Sequence, residues 1–131
     1  MSVGLLIISH GEIGASLLHA TTNILGICPL ATYNLAVREN SNLDLLKHQA
    51  RKLVEQLDQG DGVLVLTDLY GSTPHNIAAE LIATEPVSVV SGVNLPMLLR
   101  VFNYPGLTLH DITEKAISGA TLGIVNCHTG N

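Results

Sequence analysis

The sequence predicts an α/β fold: a three-layer sandwich around a mainly parallel sheet of four strands, with a short additional edge strand. Short segments rich in Leu, Ile and Val alternate with amphipathic stretches at helical spacing, the pattern of strands covered by helices on both faces. Trp is absent and aromatic residues make up only 3% of the chain, so the core must be aliphatic. We expect one domain spanning residues 1–131.

The first half of the chain predicts two strands and two helices. Residues 3–8 (VGLLII) form the first strand, and residues 13–25 form a helix that Gly26 ends as a C-cap. Residues 31–37 alternate in polarity and form the second strand. Ser41-x-x-Asp44 is a capping box that begins the next helix, which residues 43–57 continue and Gly60 closes.

The second half repeats this alternation. Residues 62–67 (GVLVLT) form the third strand, a polar loop covers residues 68–73, and Pro74 begins a helix that runs towards Thr84. Residues 86–90 form the fourth strand, and a short helix follows over residues 95–101.

The C-terminal part of the chain predicts one helix and an untidy final segment. Thr108-x-x-Asp111 is a second capping box, and its helix runs to about Ser118. Residues 122–127 form a short strand, which pairs either with this chain's sheet or with that of a partner.

The composition of the chain excludes several classes of protein. The chain is 47% apolar, 13% charged and carries a net charge of −5, which excludes disorder and argues against nucleic-acid binding. No apolar run approaches the ~20 residues that a membrane span needs. The first residues lack a signal peptide's basic region, and Cys28 and Cys127 have no metal-binding spacing. We expect a cytoplasmic protein without a metal or cofactor.

Ligands of open α/β sheets bind beyond the carboxyl ends of the strands. Polar tips follow the first, third and fourth strands, and the first and third are neighbours if the first strand is central. His10 and Asp68 would then face one another. Each alone could simply cap a helix; together they indicate a site. His75, at a helix start near Asp68, is a weaker candidate.

The predicted chemistry is nucleophilic. A carboxylate that accepts a hydrogen bond from one imidazole nitrogen leaves a lone pair on the other. Gly11, the hydroxyls of Ser72 and Thr73, and two helix N-termini provide space and donors for a phosphate-sized anion. The chain lacks the GxxxxGK[ST] and GxGxxG nucleotide-binding motifs.

These residues carry a family resemblance over essentially the whole chain. A strand ending in His10-Gly11, the block GVLVLTDLYGSTPHNIA and the block SGVNLPMLL resemble the enzyme IIA component of the mannose family of the bacterial phosphoenolpyruvate-dependent sugar phosphotransferase system. The resemblance implies that Nε2 of His10 accepts a phosphoryl group from the phosphocarrier HPr and passes it to a IIB component. Asp68 would orient the imidazole.

The same resemblance implies further partners and contacts. It implies a homodimer that exchanges a short antiparallel edge strand, which would explain residues 122–127. The phosphate-binding positions would be Gly11, Gly71, Ser72 and Thr73, although Ser72 stands where the family commonly has a second glycine. IIB is expected on a separate polypeptide, through which the chain could associate peripherally with a membrane permease.

Other functions stay open. The phosphoryl donor subunit of dihydroxyacetone kinase has a similar domain, but it lacks the G-x-T/S-P-x-N pattern of residues 71–76. A small tetrapyrrole metal chelatase also has a strand ending in His-Gly, but needs more ligands and a large apolar cleft. A histidine phosphatase needs an Arg before the histidine, where Ser9 stands. A regulatory module would use phosphate on His10 as a signal.

Overall fold

A computed structural model of the chain describes residues 2–128. Within them, four parallel strands lie in the order β2-β1-β3-β4. The strands are β1 (Gly4–His10), β2 (Thr32–Val37), β3 (Val63–Thr67) and β4 (Val87–Ser91). The helices are α1 (Ile13–Leu25), α2 (Leu43–Leu57), α3 (Thr73–Leu81), α4 (Leu95–Phe102) and α5 (Leu109–Leu122). The predicted α/β sandwich is confirmed.

The two central strands bury both of their faces, which is why they read as continuous apolar runs. Successive side chains of a strand point to opposite faces, so Leu5 and Ile7 contribute to one core and Leu6 and Ile8 to the other. Helices α1, α4 and α5 cover the first face, and α2 and α3 cover the second. Burying each such side chain stabilises the fold by about 1.5–3 kcal/mol.

Some helix ends follow the sequence signals and others differ. Helix α2 ends at Leu57 with Asp58, not Gly60, at its C-cap, and α3 ends at Leu81, before Thr84. Gly26 ends α1 in the left-handed conformation, and Thr108 caps α5 by accepting a hydrogen bond from Asp111 N–H, both as predicted. The cap of α2 is Asn42 and not Ser41, because Asn42 Oδ1 accepts from Leu45 N–H at 3.0 Å. The Ser41 hydroxyl instead accepts from Arg38 N–H.

The predicted strand at residues 122–127 is wrong for this chain's own sheet. Helix α5 continues past Ser118 to Leu122, and residues 124–128 carry no strand pairing. Leu122, Ile124 and Val125 are exposed. Exchange of this segment with a second copy remains a prediction.

Strand order determines where the strand tips meet. β1 lies between β2 and β3. The sheet therefore extends from β1 to β2 on one side, and from β1 to β3 and β4 on the other. The carboxyl ends of β1 and β3 are therefore adjacent at the switch point, as the sequence predicted. In residues 2–128, every helix is too short or too polar to cross a bilayer.

Candidate functional site

His10 and Asp68 meet at this switch point. His10 is the last residue of β1, and Asp68 directly follows β3. The ring Nδ1 of His10 lies 2.8 Å from Asp68 Oδ2. The imidazole is 47% exposed whereas the carboxylate is only 9% exposed, so the buried group holds the accessible one.

The same carboxylate oxygen also binds the backbone of His10. The β1–β3 ladder ends at the pair Ile8 and Thr67. Beyond it, His10 N–H donates to Asp68 Oδ2 at 2.9 Å, so the side chain replaces the next ladder acceptor. The strand end and the imidazole are thus fixed to one atom.

The electrostatics determine which histidine nitrogen carries the hydrogen. Burial raises the pKa of Asp68, but the hydrogen bonds from His10 N–H and from its ring, with the charge of that ring, outweigh burial and lower the pKa below its usual value. An ionised carboxylate can only accept. Nδ1 of His10 is therefore the donor, and in the neutral imidazole the lone pair lies on Nε2.

The turn after His10 depends on a serine and a glycine. Ser9 is fully buried, and its hydroxyl accepts from Gly14 N–H at 2.8 Å, which ties the first turn of α1 to the strand. Gly11 has φ +50°, and a Cβ there would meet no atom within 4 Å. Its N–H donates to Val37 O, so Gly11 offers open space and not the free N–H that a phosphate contact would use.

The loop after β3 separates the two candidate hydroxyls. Ser72 caps α3: its Oγ donates to Leu69 O and accepts from His75 N–H. Thr73 is exposed and borders the cavity beside His10. Gly71 turns the loop with φ +80°, and neither Gly71 nor Ser72 lines that cavity. Of the two hydroxyls, that of Thr73 is therefore better placed to contact a phosphate beside His10.

A cavity of about 880 Å³ opens between the tip of β1 and helix α2. His10, Gly11 and Thr73 line one side, and residues 37–41, Leu43 and Leu46 complete it. Arg38, one of these lining residues, pairs with Glu12, which lies outside the lining; sequence reasoning missed this contact. The position of Arg38 in the sequence could have identified it, because Arg38 directly follows β2, just as the predicted site residues follow their strands.

The other candidates lie outside this cavity. The ring of His75 packs on Tyr70 with centroids 4.7 Å apart, and its Nδ1 is buried without a hydrogen-bond partner. His19, His48 and His110 are exposed on helices. Both cysteines are free thiols. Among residues 2–128, His, Cys, Asp and Glu form no group of three or more that could hold a metal ion.

The sequence matches a known family model and several curated proteins. The family model of the PTS system fructose IIA component matches residues 4–117. The chain is 31% identical over 117 residues to the transcriptional regulatory protein LevR of Bacillus subtilis. It is 30% identical over 94 residues to the fructose-specific EIIA component of the same organism. Identity to the mannose-specific EIIAB component of Escherichia coli K12 is 31% over 102 residues.

These alignments cover most of this chain but less of the relatives. They span 86%, 69% and 76% of the chain, in the order given, and 12%, 64% and 31% of the relatives' lengths. The chain thus corresponds to one part of longer proteins.

The fold has close counterparts among solved structures. The mannose/sorbose-specific IIA subunit from Enterococcus faecalis has a TM-score of 0.87 at 23% identity, covering 100% of this chain and 98% of that one. The IIA protein associated with the fucose utilisation operon of Streptococcus pneumoniae has a TM-score of 0.81 at 25% identity, covering 96% of each. With residues 4–117 matching the family model, the chain belongs to the fructose- and mannose-type IIA family of the sugar phosphotransferase system.

Proposed function

We propose that this protein is a phosphoryl carrier of the sugar phosphotransferase system, with His10 as the residue that carries the group. One observation supports this role above the others: Nδ1 of His10 is engaged by Asp68 at 2.8 Å while the imidazole stays exposed at a strand tip. That arrangement leaves Nε2 as an accessible nucleophile of fixed orientation. The donor is phospho-HPr and the acceptor is a IIB component.

The transfer is a displacement at phosphorus. The lone pair of His10 Nε2 forms the new P–N bond as the bond between phosphorus and the donor atom of HPr breaks, and that electron pair leaves with the donor. The ring becomes positively charged while Nδ1 keeps its hydrogen. Asp68 stabilises this charge, and because the transition state of phosphoryl transfer is loose, positioning and neutralisation provide most of the catalysis. Transfer to IIB is the same step in reverse.

Phosphorylation by purified components tests the proposal. The protein is incubated with phosphoenolpyruvate, enzyme I and HPr, and its intact mass is measured. We expect one added phosphoryl group of about 80 Da per chain, labile in acid and stable in alkali, as for a phosphoramidate. His10→Ala should abolish the adduct.

The control is His75→Ala, since His75 is near the same loop but outside the cavity. It should keep the adduct. Labelling that persists in His10→Ala, or that requires a nucleotide, would contradict the proposal.

A second candidate is a regulatory role, favoured by the alignment with LevR, of which the chain matches only 12%. Phosphate on His10 would then be a signal that changes the activity of an attached or bound regulator. The two candidates differ in the fate of the group. A carrier passes it to IIB and then to sugar, whereas a signalling domain retains it until HPr withdraws it. Chase experiments with IIB separate them.

A further inference from the structure

Arg38 is a cation beside the nucleophile. Val37, the last residue of β2, is the register partner of His10, the last residue of β1. Arg38 therefore directly follows the point at which both strands end. Arg38 N–H donates to Ser41 Oγ, and Ser41 N–H donates to Arg38 O. This tight turn fixes the backbone of Arg38 at the rim of the cavity that His10 and Thr73 line.

The present partner of Arg38 is a carboxylate from the turn that follows His10. Arg38 Nη2 binds Glu12 Oε1, and the two side chains are 59% and 69% exposed. Glu12 occupies the N-cap position of α1 but makes no side-chain capping bond, because the Ser9 hydroxyl binds Gly14 N–H instead. An ion pair this exposed contributes little to stability and separates easily.

Phosphorylation of His10 makes the charge around the cavity more negative. Of the described residues that line the cavity, Arg38 is the only lysine or arginine, and Glu39 is also there. Lys47, on α2, pairs with Glu80 at 3.2 Å. A phosphoryl group adds nearly two negative charges near Asp68, Glu12 and Glu39. A guanidinium binds phosphate oxygens as a fork and does so more strongly than it binds an exposed carboxylate.

We propose that Arg38 is the phosphoryl-binding cation of this site: it leaves Glu12 when His10 is phosphorylated and binds the phosphoryl oxygens on Nε2. The inference rests on the proposed function. Arg38 contacts the transferred group, whereas Glu12 is a positioning residue that holds the guanidinium at the rim while the site is empty. The exchange gives the phosphorylated state a favourable contact that the unphosphorylated state lacks.

The equilibrium of phosphoryl transfer between HPr and this protein tests the exchange. Intact masses of both proteins give the ratio of phosphorylated forms at fixed total concentrations. Arg38→Gln should lower this ratio about tenfold, the effect of losing one charge-assisted hydrogen bond. Glu12→Gln should raise it about two- to fivefold, since Arg38 is then released in advance.

Matched variants separate the exchange from a general effect of charge. Arg51→Gln makes the same charge change on an exposed part of α2 outside the cavity and should leave the ratio unchanged. If Glu12→Gln raises the ratio equally in the Arg38→Gln background, Glu12 acts on the phosphate directly and the exchange is wrong. If Arg38→Gln changes only the KM for phospho-HPr, Arg38 docks the donor and the inference is also wrong.

A direct measurement on the unmodified sequence completes the test. The arginine side-chain NMR signals of Arg38 should shift on phosphorylation, while those of Arg51 stay in place. Unchanged Arg38 signals in a chain phosphorylated on His10 would overturn the inference and leave the carrier function standing. A chain that takes no phosphoryl group at all would instead overturn the proposed function.

Discussion

His10 donates two hydrogen bonds to one oxygen of Asp68, from its backbone N–H at 2.9 Å and from its ring at 2.8 Å. The other oxygen, Oδ1, is buried without a hydrogen-bond donor among residues 2–128. His10 therefore supplies both hydrogen bonds to Oδ2 of Asp68, and Asp68 in turn fixes the position of His10. Strand geometry, ring orientation and carboxylate charge are coupled through a single atom.

Asp68→Ala should slow phosphorylation while the fold persists. The imidazole loses the acceptor that fixes its tautomer and stabilises its positive charge. Such a hydrogen bond contributes about 1.5–3 kcal/mol, so we expect a rate roughly ten- to a hundredfold lower. Rapid-quench phosphorylation by phospho-HPr measures it, with circular dichroism as the check on folding. Unchanged kinetics would remove Asp68 from the mechanism.

The contribution of Asp68 to the free energy of unfolding should decrease at low pH. Its pKa is lower in the folded protein than in the unfolded chain, so ionised Asp68 stabilises the fold above the unfolded value of about 3.9. That stabilisation is lost as the pH falls through the folded pKa. In urea unfolding, the advantage of the wild type over Asp68→Asn should be present at about pH 5 and shrink below about pH 4.

The control for this measurement is Asp61→Asn, which alters an exposed carboxylate. A difference between wild type and Asp68→Asn that stays constant down to about pH 2 would contradict the lowered pKa.

The two neighbouring hydroxyls should separate stability from transfer. Ser72→Ala removes the cap of α3 and should lower the free energy of unfolding by about 1 kcal/mol, with little effect on the phosphorylation rate. Thr73→Val keeps the side-chain shape but removes the hydroxyl that borders the cavity. It should slow transfer about fivefold and leave the urea midpoint nearly unchanged. The reverse pattern would assign the phosphate contact to Ser72.

Gly62→Ala should destabilise the protein. Gly62 has φ +83°, and a Cβ there would lie 2.8 Å from the backbone oxygen of Pro86, which cannot move without disturbing β4. The strained backbone and the clash together should cost about 2–4 kcal/mol, measured by urea unfolding. Gly106→Ala is the control, because a Cβ there meets nothing within 4 Å. It should change stability by less than about 0.5 kcal/mol.

Removing residues 124–131 should prevent dimer formation if that segment joins the sheet of a second copy. Ile124 and Val125 are exposed near the end of the chain, and α5 would remain complete. Light scattering should detect a dimer for the full chain and a monomer for the shortened one. An equal mass for both, whether monomer or dimer, would exclude strand exchange.

Much of the fold and part of the site could be predicted from sequence. Buried parallel strands carry a continuous apolar run, and parallel pairing brings strand tips such as His10 and Asp68 together. The cap of α2 was misassigned because Ser41 and Asn42 are adjacent and equally suited to capping. The extent of α5 was missed because Gly119, a poor helix former, directly follows Ser118; in the structure Gly119 is buried within α5, where a Cβ would clash with the side chain of Arg100.

The pair Arg38 and Glu12 was beyond pattern reasoning for a different reason. Their separation of 26 positions follows no period of helix or strand. Only the register of β1 against β2 brings the two turns side by side. Contacts between turns depend on that register and on side-chain length, neither of which a local motif encodes.

The exposure of the His10 ring has a consequence for timing. A phosphoryl group on an imidazole that is 47% exposed is as accessible to water as to a partner protein, because no element within residues 2–128 closes over it as a lid does in water-excluding sites. Under the proposed function, spontaneous hydrolysis would then limit how long His10 holds the group. In the proposed carrier, the phosphorylated fraction would therefore follow the current supply from the donor and the current demand of the acceptor.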